Sequence, residues 1–343
     1  MYPALKSGAD AGACFFSIVR NRRDQAQYHG YMEDTRPLVI VLGPTGSGKS
    51  GLALDIAQTF DGEIVNCDSL QLYRMFDAGT AKVPLAERRA IPHHLIDACE
   101  PDQVFTAGEY VRRARPLLRE ISRRGRLPVV VGGTGFYLRA LLEGLFAGPE
   151  RDERLRSRLA SAEERRPGFL HRALRRFDPG SAARIHANDR NKLIRSLEVC
   201  LSAQKPMSEL FASGREPLAG FRPVKIGLDP PRDALYRRLD ERCRRMWTGQ
   251  LVEEVRQILQ AGVPATAKPF ESIGYKEALD FLRGGLTEAE ALVQMQRHTR
   301  RYAKRQMTWF RREPEVSWFV GFGDDQTTRC PVLNTINTHL YVV

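Results

Sequence analysis

Residues Pro37 to Phe60 read PLVIVLGPTGSGKSGLALDIAQTF. Pro37 to Leu42 are continuously apolar, the mark of a parallel strand covered on both faces. Gly51 to Phe60 place Leu52, Ile56 and Phe60 at helical spacing, and Asp61-Gly62 supplies a helix stop. Between them Gly43, Pro44, Thr45, Gly46, Ser47, Gly48, Lys49 and Ser50 fit G-x-x-x-x-G-K-[ST]. In a strand–turn–helix this spacing wraps backbone N–H groups around a phosphate chain at a helix N-terminus. Lys49 adds a positive charge, and the Ser50 hydroxyl suits Mg2+. The motif specifies a polyphosphate without distinguishing ATP from another diphosphate.

Downstream of the cradle, a second strand, EIVNC, ends at Asp68-Ser69. A loop with Gly79 and Pro84 precedes a helical stretch from about Thr106 to Arg124. Pro128 to Val131 (PVVV) is a third buried strand, running into Gly132-Gly133-Thr134-Gly135. The order β-α-β-α-β predicts an α/β fold, a P-loop NTPase-like parallel sheet flanked by helices with right-handed crossovers. Composition changes near Gly148-Pro149. The charged, helically patterned segment that follows predicts a helical insertion domain over 145–215. Strand character returns at PVKIGL (Pro223 to Leu228), and helices are expected over about Arg232 to Gln260 and Thr287 to Arg312. Thr287 and Glu290 form a capping box for the last of these, and Pro314 closes it. The expected division is therefore an extension over 1–36, a core of 37–144 plus 216–320, the insertion at 145–215 and a tail over 321–343.

In an open parallel sheet the strand ends and the phosphate loop face one crevice, which places Asp68 beside the bound phosphates. A carboxylate there suits indirect Mg2+ ligation or general-base work, and it equally suits a turn cap with Ser69. The third strand ends in glycines and Thr134, without the acid that commonly supports the metal in an NTPase. Water activation is poorly provided for.

The chain has 343 residues, 42% hydrophobic, and a formal net charge of +12, which suits a polyanionic partner. Six scattered cysteines without a C-x-x-C pair read as reduced thiols of an intracellular protein, with no zinc site. Apolar runs are too short to span a bilayer, and Ala13 to Val19 is too short and badly flanked for a secretory signal. From Arg297 to Arg312 there are seven Arg or Lys and no acid. Arg297, Arg301, Lys304 and Arg305 form a stripe at helical spacing, with Met295, Thr299, Tyr302 and Trp309 on another face. A solvated helix face usually mixes charge signs, so this one suits a phosphate backbone. Adjacent His93-His94 are loop structure, since neighbouring residues rarely point at one ion.

Together these segments resemble the tRNA dimethylallyltransferases (tRNA isopentenyltransferases) from about Pro37 to Phe319. The shared elements are GPTGSGKS, DSLQLY (Asp68 to Tyr73), GTAK (Gly79 to Lys82), PHHLID (Pro92 to Asp97), GGTGFYLRALLEG (Gly132 to Gly144), RIHANDRNKLIRSLEV (Arg184 to Val199), IGYKE (Ile273 to Glu277) and KRQMTWFR (Lys304 to Arg311). The resemblance implies attack by an adenine N6 on C1 of dimethylallyl diphosphate, at the adenosine 3′-adjacent to the anticodon. It implies Asp68 as general base, the P-loop with Mg2+ as diphosphate holder, and Thr134 with an arginine of RRLDERCRR as charge neutralisers. Arg238 and Arg242 share a helical face, and the resemblance favours Arg242. Contacts to the tRNA anticodon stem-loop map to Asp68, Ser69, Leu70 and Gln71, to Asn191, Lys192 and Arg195 of the insertion, to Gly274, Tyr275 and Lys276, and to Thr299, Arg301, Lys304, Arg305 and Gln306. Asn191-Lys192 departs from the Gln-Arg common in the family, and Gly46 from its usual Ala. The implied protein is a cytoplasmic monomer with no membrane partner. A P-loop nucleotide or nucleoside kinase, an ATP-gated RNA-binding protein and an adenylate isopentenyltransferase are the competing readings; the basic helix opposes the small-nucleotide ones.

Overall fold

The computed structural model describes residues 35–212 and 214–341. These fall into two compact units, one of 35–105, 116–135 and 219–341, the other of 106–115 and 136–218. Residues 1–34 of the expected extension lie outside the described residues.

The first unit is built on β1 (Arg36–Leu42), β2 (Gly62–Asn66), β3 (His93–His94), β4 (Leu127–Val131), β5 (Phe221–Leu228) and β6 (Val316–Phe319). They form one sheet in the order β3-β2-β4-β1-β5-β6, every pair parallel. Val39 of β1 stands between Val129 of β4 and Val224 of β5, so the apolar run at Pro37 sits in the centre of the sheet as its composition demands. Helix α1 (Lys49–Thr59) packs Leu52 and Ile56 into a core with Val41, Val129, Ile226 and Leu228.

Helix α2 (Ala107–Arg123) contributes residues to both units, and α3 (Gly135–Glu143) follows β4. The second unit continues with α4 (Glu153–Arg165), α5 (Phe169–Phe177), α6 (Pro179–Arg184), α7 (Arg190–Ala203) and α8 (Met207–Ala212), around Leu159, Leu170, Leu174, Leu193 and Leu197. Aspartates start three of these helices: Asp152, Asp178 and Asp189 accept the N–H groups of Leu155, Ser181 and Lys192 at 3.0, 2.9 and 3.2 Å. The second compact unit takes in the described residues of the segment expected as an insertion over 145–215, together with the first turns of α2 and residues 136–144.

Back in the first unit come α9 (Arg232–Met246), α10 (Val252–Gln260), α11 (Tyr275–Leu282), α12 (Glu288–Phe310) and α13 (Gln326–Tyr341). The helix expected over Arg232 to Gln260 is broken at Trp247–Leu251, where Gly249 leaves helical geometry. The capping box of α12 forms as read: Glu290 accepts the Thr287 N–H at 2.8 Å and Thr287 Oγ1 accepts the Glu290 N–H at 3.3 Å. Two expectations are corrected. His93-His94 is an edge strand on β2, with His94 Nε2 2.7 Å from buried Glu63. The segment read as a tail carries α13, whose Val332 and Ile336 are wholly buried in the core. No helix among the described residues is long and apolar enough to cross a membrane.

Candidate active site

The phosphate loop joins β1 to α1, with Gly48 as the helix N-cap at φ +82°. That conformation is left-handed, and a Cβ there would strike the backbone at Gly323 and Asp324, so glycine is required twice over. Gly323 donates its N–H to the Ser47 carbonyl at 2.8 Å, anchoring the loop from the segment after β6. Lys49 Nζ donates to the Pro44 carbonyl at 2.6 Å. Desolvation pushes its pKa down to about 7, partly opposed by the charge of Asp68 and reinforced by that of Arg242. The Ser50 hydroxyl is exposed at the first turn.

Within the first unit this loop opens on a crevice of about 330 Å3, also lined by Asp68, Gln71, Thr80, Ala81, Gly132, Gly133, Arg238, Arg242, Arg245, Tyr302, Gln306 and Asp324. Asp68 stands two residues past β2. Its Oδ1 accepts the N–H groups of Leu70 and Gln71 at 2.9 and 3.4 Å, so the turn-cap role is real. Its Oδ2 is turned toward Gly133, within 3.7 Å of where a Cβ would stand. One oxygen fixes the carboxylate while the other remains on the crevice side. Asn66 steadies the same turn, accepting the Asp68 N–H at 3.1 Å and donating to the Asp68 and Leu95 carbonyls.

Past β4, Gly132 and Gly133 line the crevice and supply no acid; among the described residues its lining carboxylates are Asp68 and Asp324. Thr134 is the residue expected, beside an arginine, to neutralise diphosphate charge. Its hydroxyl accepts the Ser69 N–H at 3.0 Å and reaches Ser69 Oγ at 3.2 Å, which makes it a clamp on the Asp68 turn. The two arginines separate cleanly. Arg238 is held by Asp324 in a two-point ion pair at 2.9 and 2.6 Å, under the ring of Phe322. Arg242 donates to Thr45 Oγ1 of the phosphate loop at 3.3 Å, and desolvation holds its pKa below the usual arginine value.

Helix α12 presents Arg297, Arg301, Lys304 and Arg305 to solvent while Met295, Ala303, Gln306 and Phe310 are buried. None of those four cations forms an ion pair among the described residues, whereas Arg300 and Arg311 of the same run engage Asp240 and Asp229. Gln306 faces inward: Oε1 accepts the Thr45 N–H at 2.8 Å and Nε2 donates to the Gly133 carbonyl at 2.9 Å. Tyr302 lies on the crevice, its phenol pKa raised by desolvation and by Asp68. Thr299 is half-buried against Cys243. Of the Gly274–Lys276 group, Lys276 is exposed, but Tyr275 is fully buried, so its side chain is not on an RNA-accessible face. In the second unit Asn191 and Lys192 are exposed on α7, and Arg195 is half-buried against Glu198 at 2.7 Å. Asn66, Asp324 and the inward turn of Gln306 were not expected from the sequence, and Arg245, the last residue of RRLDERCRR, joins Arg242 in the crevice lining. Only Asn66, next to the strand-end acid, carried a local signal.

The parallel sheet with a strand–GPTGSGKS–helix cradle defines a P-loop α/β protein. Among such proteins, the chain belongs to the IPP transferase family, whose model matches residues 71–313. It is 63% identical over 288 residues to the tRNA dimethylallyltransferase of Solibacter usitatus, covering 84% of this chain and 94% of that one. To the protein of the same name in Koribacter versatilis it is 55% identical over 302 residues, covering 88% and 98%. Among solved structures it resembles the tRNA isopentenylpyrophosphate transferase of Bacillus halodurans (TM-score 0.66, 36% identity, 89% and 96% covered). It also resembles a eukaryotic dimethylallyltransferase acting on tRNA (TM-score 0.77, 27% identity, 89% and 80% covered).

Proposed function

We propose that this chain transfers the dimethylallyl group of dimethylallyl diphosphate to N6 of the adenosine immediately 3′ of a tRNA anticodon, releasing diphosphate. The observation that carries this reading is the shared crevice: a cationic phosphate loop and Asp68 open on one volume, and no acid ends β4. As the N6–C1 bond forms, the C1–O bond breaks, and the N6 proton passes to Asp68 Oδ2. Lys49 and Arg242 receive the charge that accumulates on the departing diphosphate. Thr134 and Asn66 keep the Asp68 turn in place. The exposed Ser50 hydroxyl is the hard oxygen donor that Mg2+ requires. Ser50 would hold Mg2+, whose charge would add to the neutralisation of the leaving group.

The exposed cations of α12 and, in the second unit, Asn191 and Lys192 are assigned to the anticodon stem-loop. The chain acts as a monomer in the cytoplasm. The test is to offer labelled dimethylallyl diphosphate or labelled ATP with unmodified tRNA and Mg2+. Prenyl label on the adenosine, without need for ATP, is expected. Phosphoryl transfer or RNA-stimulated ATP hydrolysis without prenylation overturns the assignment, and equally fast prenylation of free AMP overturns the tRNA part.

A further inference from the structure

The loop from Asp77 to Ala81 forms one wall of the crevice through Thr80 and Ala81, yet its backbone is held from behind. Three successive amides donate to two side chains of neighbouring helices, half-buried Glu254 and fully buried Tyr275. Glu254 of α10 accepts the N–H of Asp77 at 3.1 Å and of Ala78 at 2.8 Å. The hydroxyl of Tyr275 on α11 accepts the N–H of Gly79 at 3.0 Å and donates to Glu254. Gly79 lies so close to the Tyr275 ring that a Cβ would stand 2.4 Å from Cε2. The ring is itself packed on Phe76, which packs on Phe270. Desolvation raises the pKa of both Glu254 and Tyr275, as expected of a polar pair enclosed in this way.

On its other side the same loop grips the catalytic turn. The carbonyls of Thr80 and Ala81 accept Gln71 Nε2 at 3.1 and 3.3 Å, and the Gln71 N–H donates to Asp68 Oδ1 at 3.4 Å. We propose that Tyr275 and Glu254 are positioning residues for the transfer reaction, setting the Asp68 carboxylate through the 77–81 loop and Gln71. This rests on the reading of Asp68 as the proton acceptor. The phosphate loop is anchored separately, by Gly323 on Ser47 and by Gln306 on Thr45, so the positioning chain reaches the base and not the diphosphate.

The test compares Tyr275→Phe, Glu254→Gln and Asp68→Asn by turnover at saturating tRNA and donor, by donor KM and by thermal melting. Tyr275→Phe keeps the packed ring and removes only the hydroxyl. Its turnover is expected to fall about ten- to a hundredfold, with donor KM within about threefold of the parent. Glu254→Gln retains one acceptor oxygen and is expected to show the same split, serving in its place should Tyr275→Phe not fold. Turnover within about twofold of the parent in both variants, or a donor KM that rises as far as turnover falls, overturns the positioning role. Asp68→Asn separates the two ideas. If it keeps parental turnover the base assignment fails, whereas if it alone loses turnover only the positioning role fails.

Discussion

Gln306 Oε1 accepts the backbone N–H of Thr45 at 2.8 Å, tying the basic helix directly to the phosphate loop. The same amide donates to the Gly133 carbonyl, so one side chain spans the two glycine-rich loops that border the crevice. Replacing it with alanine orphans a donor on one loop and an acceptor on the other, each at about 1–3 kcal/mol when buried. Gln306→Ala is expected to lower the melting temperature and raise the donor KM. Gln306→Glu keeps an acceptor for Thr45 but sets a negative charge beside the cradle, so its donor affinity should be the lower of the two. Donor titration of both variants checks the order.

Asp68 has one carboxylate oxygen committed to its own turn and the other on the crevice side. Asn at this position can still cap the turn, but it cannot take a proton. Asp68→Asn should therefore lower turnover by about 10²–10⁴-fold while sparing tRNA affinity. Single-turnover kinetics with a parallel binding isotherm separate the two effects, and parental turnover would leave Asp68 as a cap alone.

The Lys49 ammonium, pushed down to about 7, gives donor binding a pH dependence of definite sign. In the unliganded protein Lys49 loses its proton as pH rises through about 7, and a diphosphate restores it. Donor affinity should fall as pH is raised above 7, with proton uptake on binding that calorimetry reads in two buffers of different ionisation enthalpy. Lys49→Arg, charged throughout, should remove the uptake. The stability of the unliganded protein follows the same shift. Its folded pKa lies below the ordinary 10.5, so between about 7 and 10.5 the unfolded chain holds the extra proton and this group makes stability rise with pH.

Arg238 and Arg242 lie one turn apart on α9 and both line the crevice, but their partners differ. Arg242 touches Thr45, whereas Arg238 is occupied by Asp324. Arg242→Ala should cost more turnover than Arg238→Ala, whose main effect should be a looser Gly321–Asp325 segment and a lower melting temperature. Equal losses of turnover would place both guanidinium groups on the diphosphate.

What the sequence disclosed followed burial and period. Pro37 to Leu42 and Pro128 to Val131 are apolar because they are inner strands, Pro223 to Leu228 is apolar but for Lys225, which pairs with Glu313, and the stripe on α12 is legible because α12 is long and capped. Short edge strands leave no such trace. His93–His94 and Val316–Phe319 are half-buried, and their pairing is set by β2 and β5. Helix α13 buries few apolar residues and contains Pro331, so its periodicity is faint. At the site, Gly43–Ser50 and Asp68 were readable from chemistry and order. Gln306, Tyr275 and Thr134 were assigned by position within motifs, but which way each side chain turns is decided by tertiary partners such as Thr45, Gly79 and Ser69.

Arg301, Lys304 and Arg305 are solvent-exposed on α12, while Gln306 of the same turn is buried against the phosphate loop. Cations without carboxylate partners are free to displace counterions from an RNA backbone, a term that grows as salt falls. For single-stranded nucleic acid each phosphate contact adds about 0.7 to the slope of log affinity against log salt. Changing all three to Gln should weaken tRNA binding and reduce that slope by up to about 2, if each meets one phosphate. Turnover at saturating tRNA should fall much less, because none of the three lines the crevice. Binding isotherms at several salt concentrations decide the matter: an unchanged affinity and slope in the triple variant would remove α12 from the RNA-binding surface.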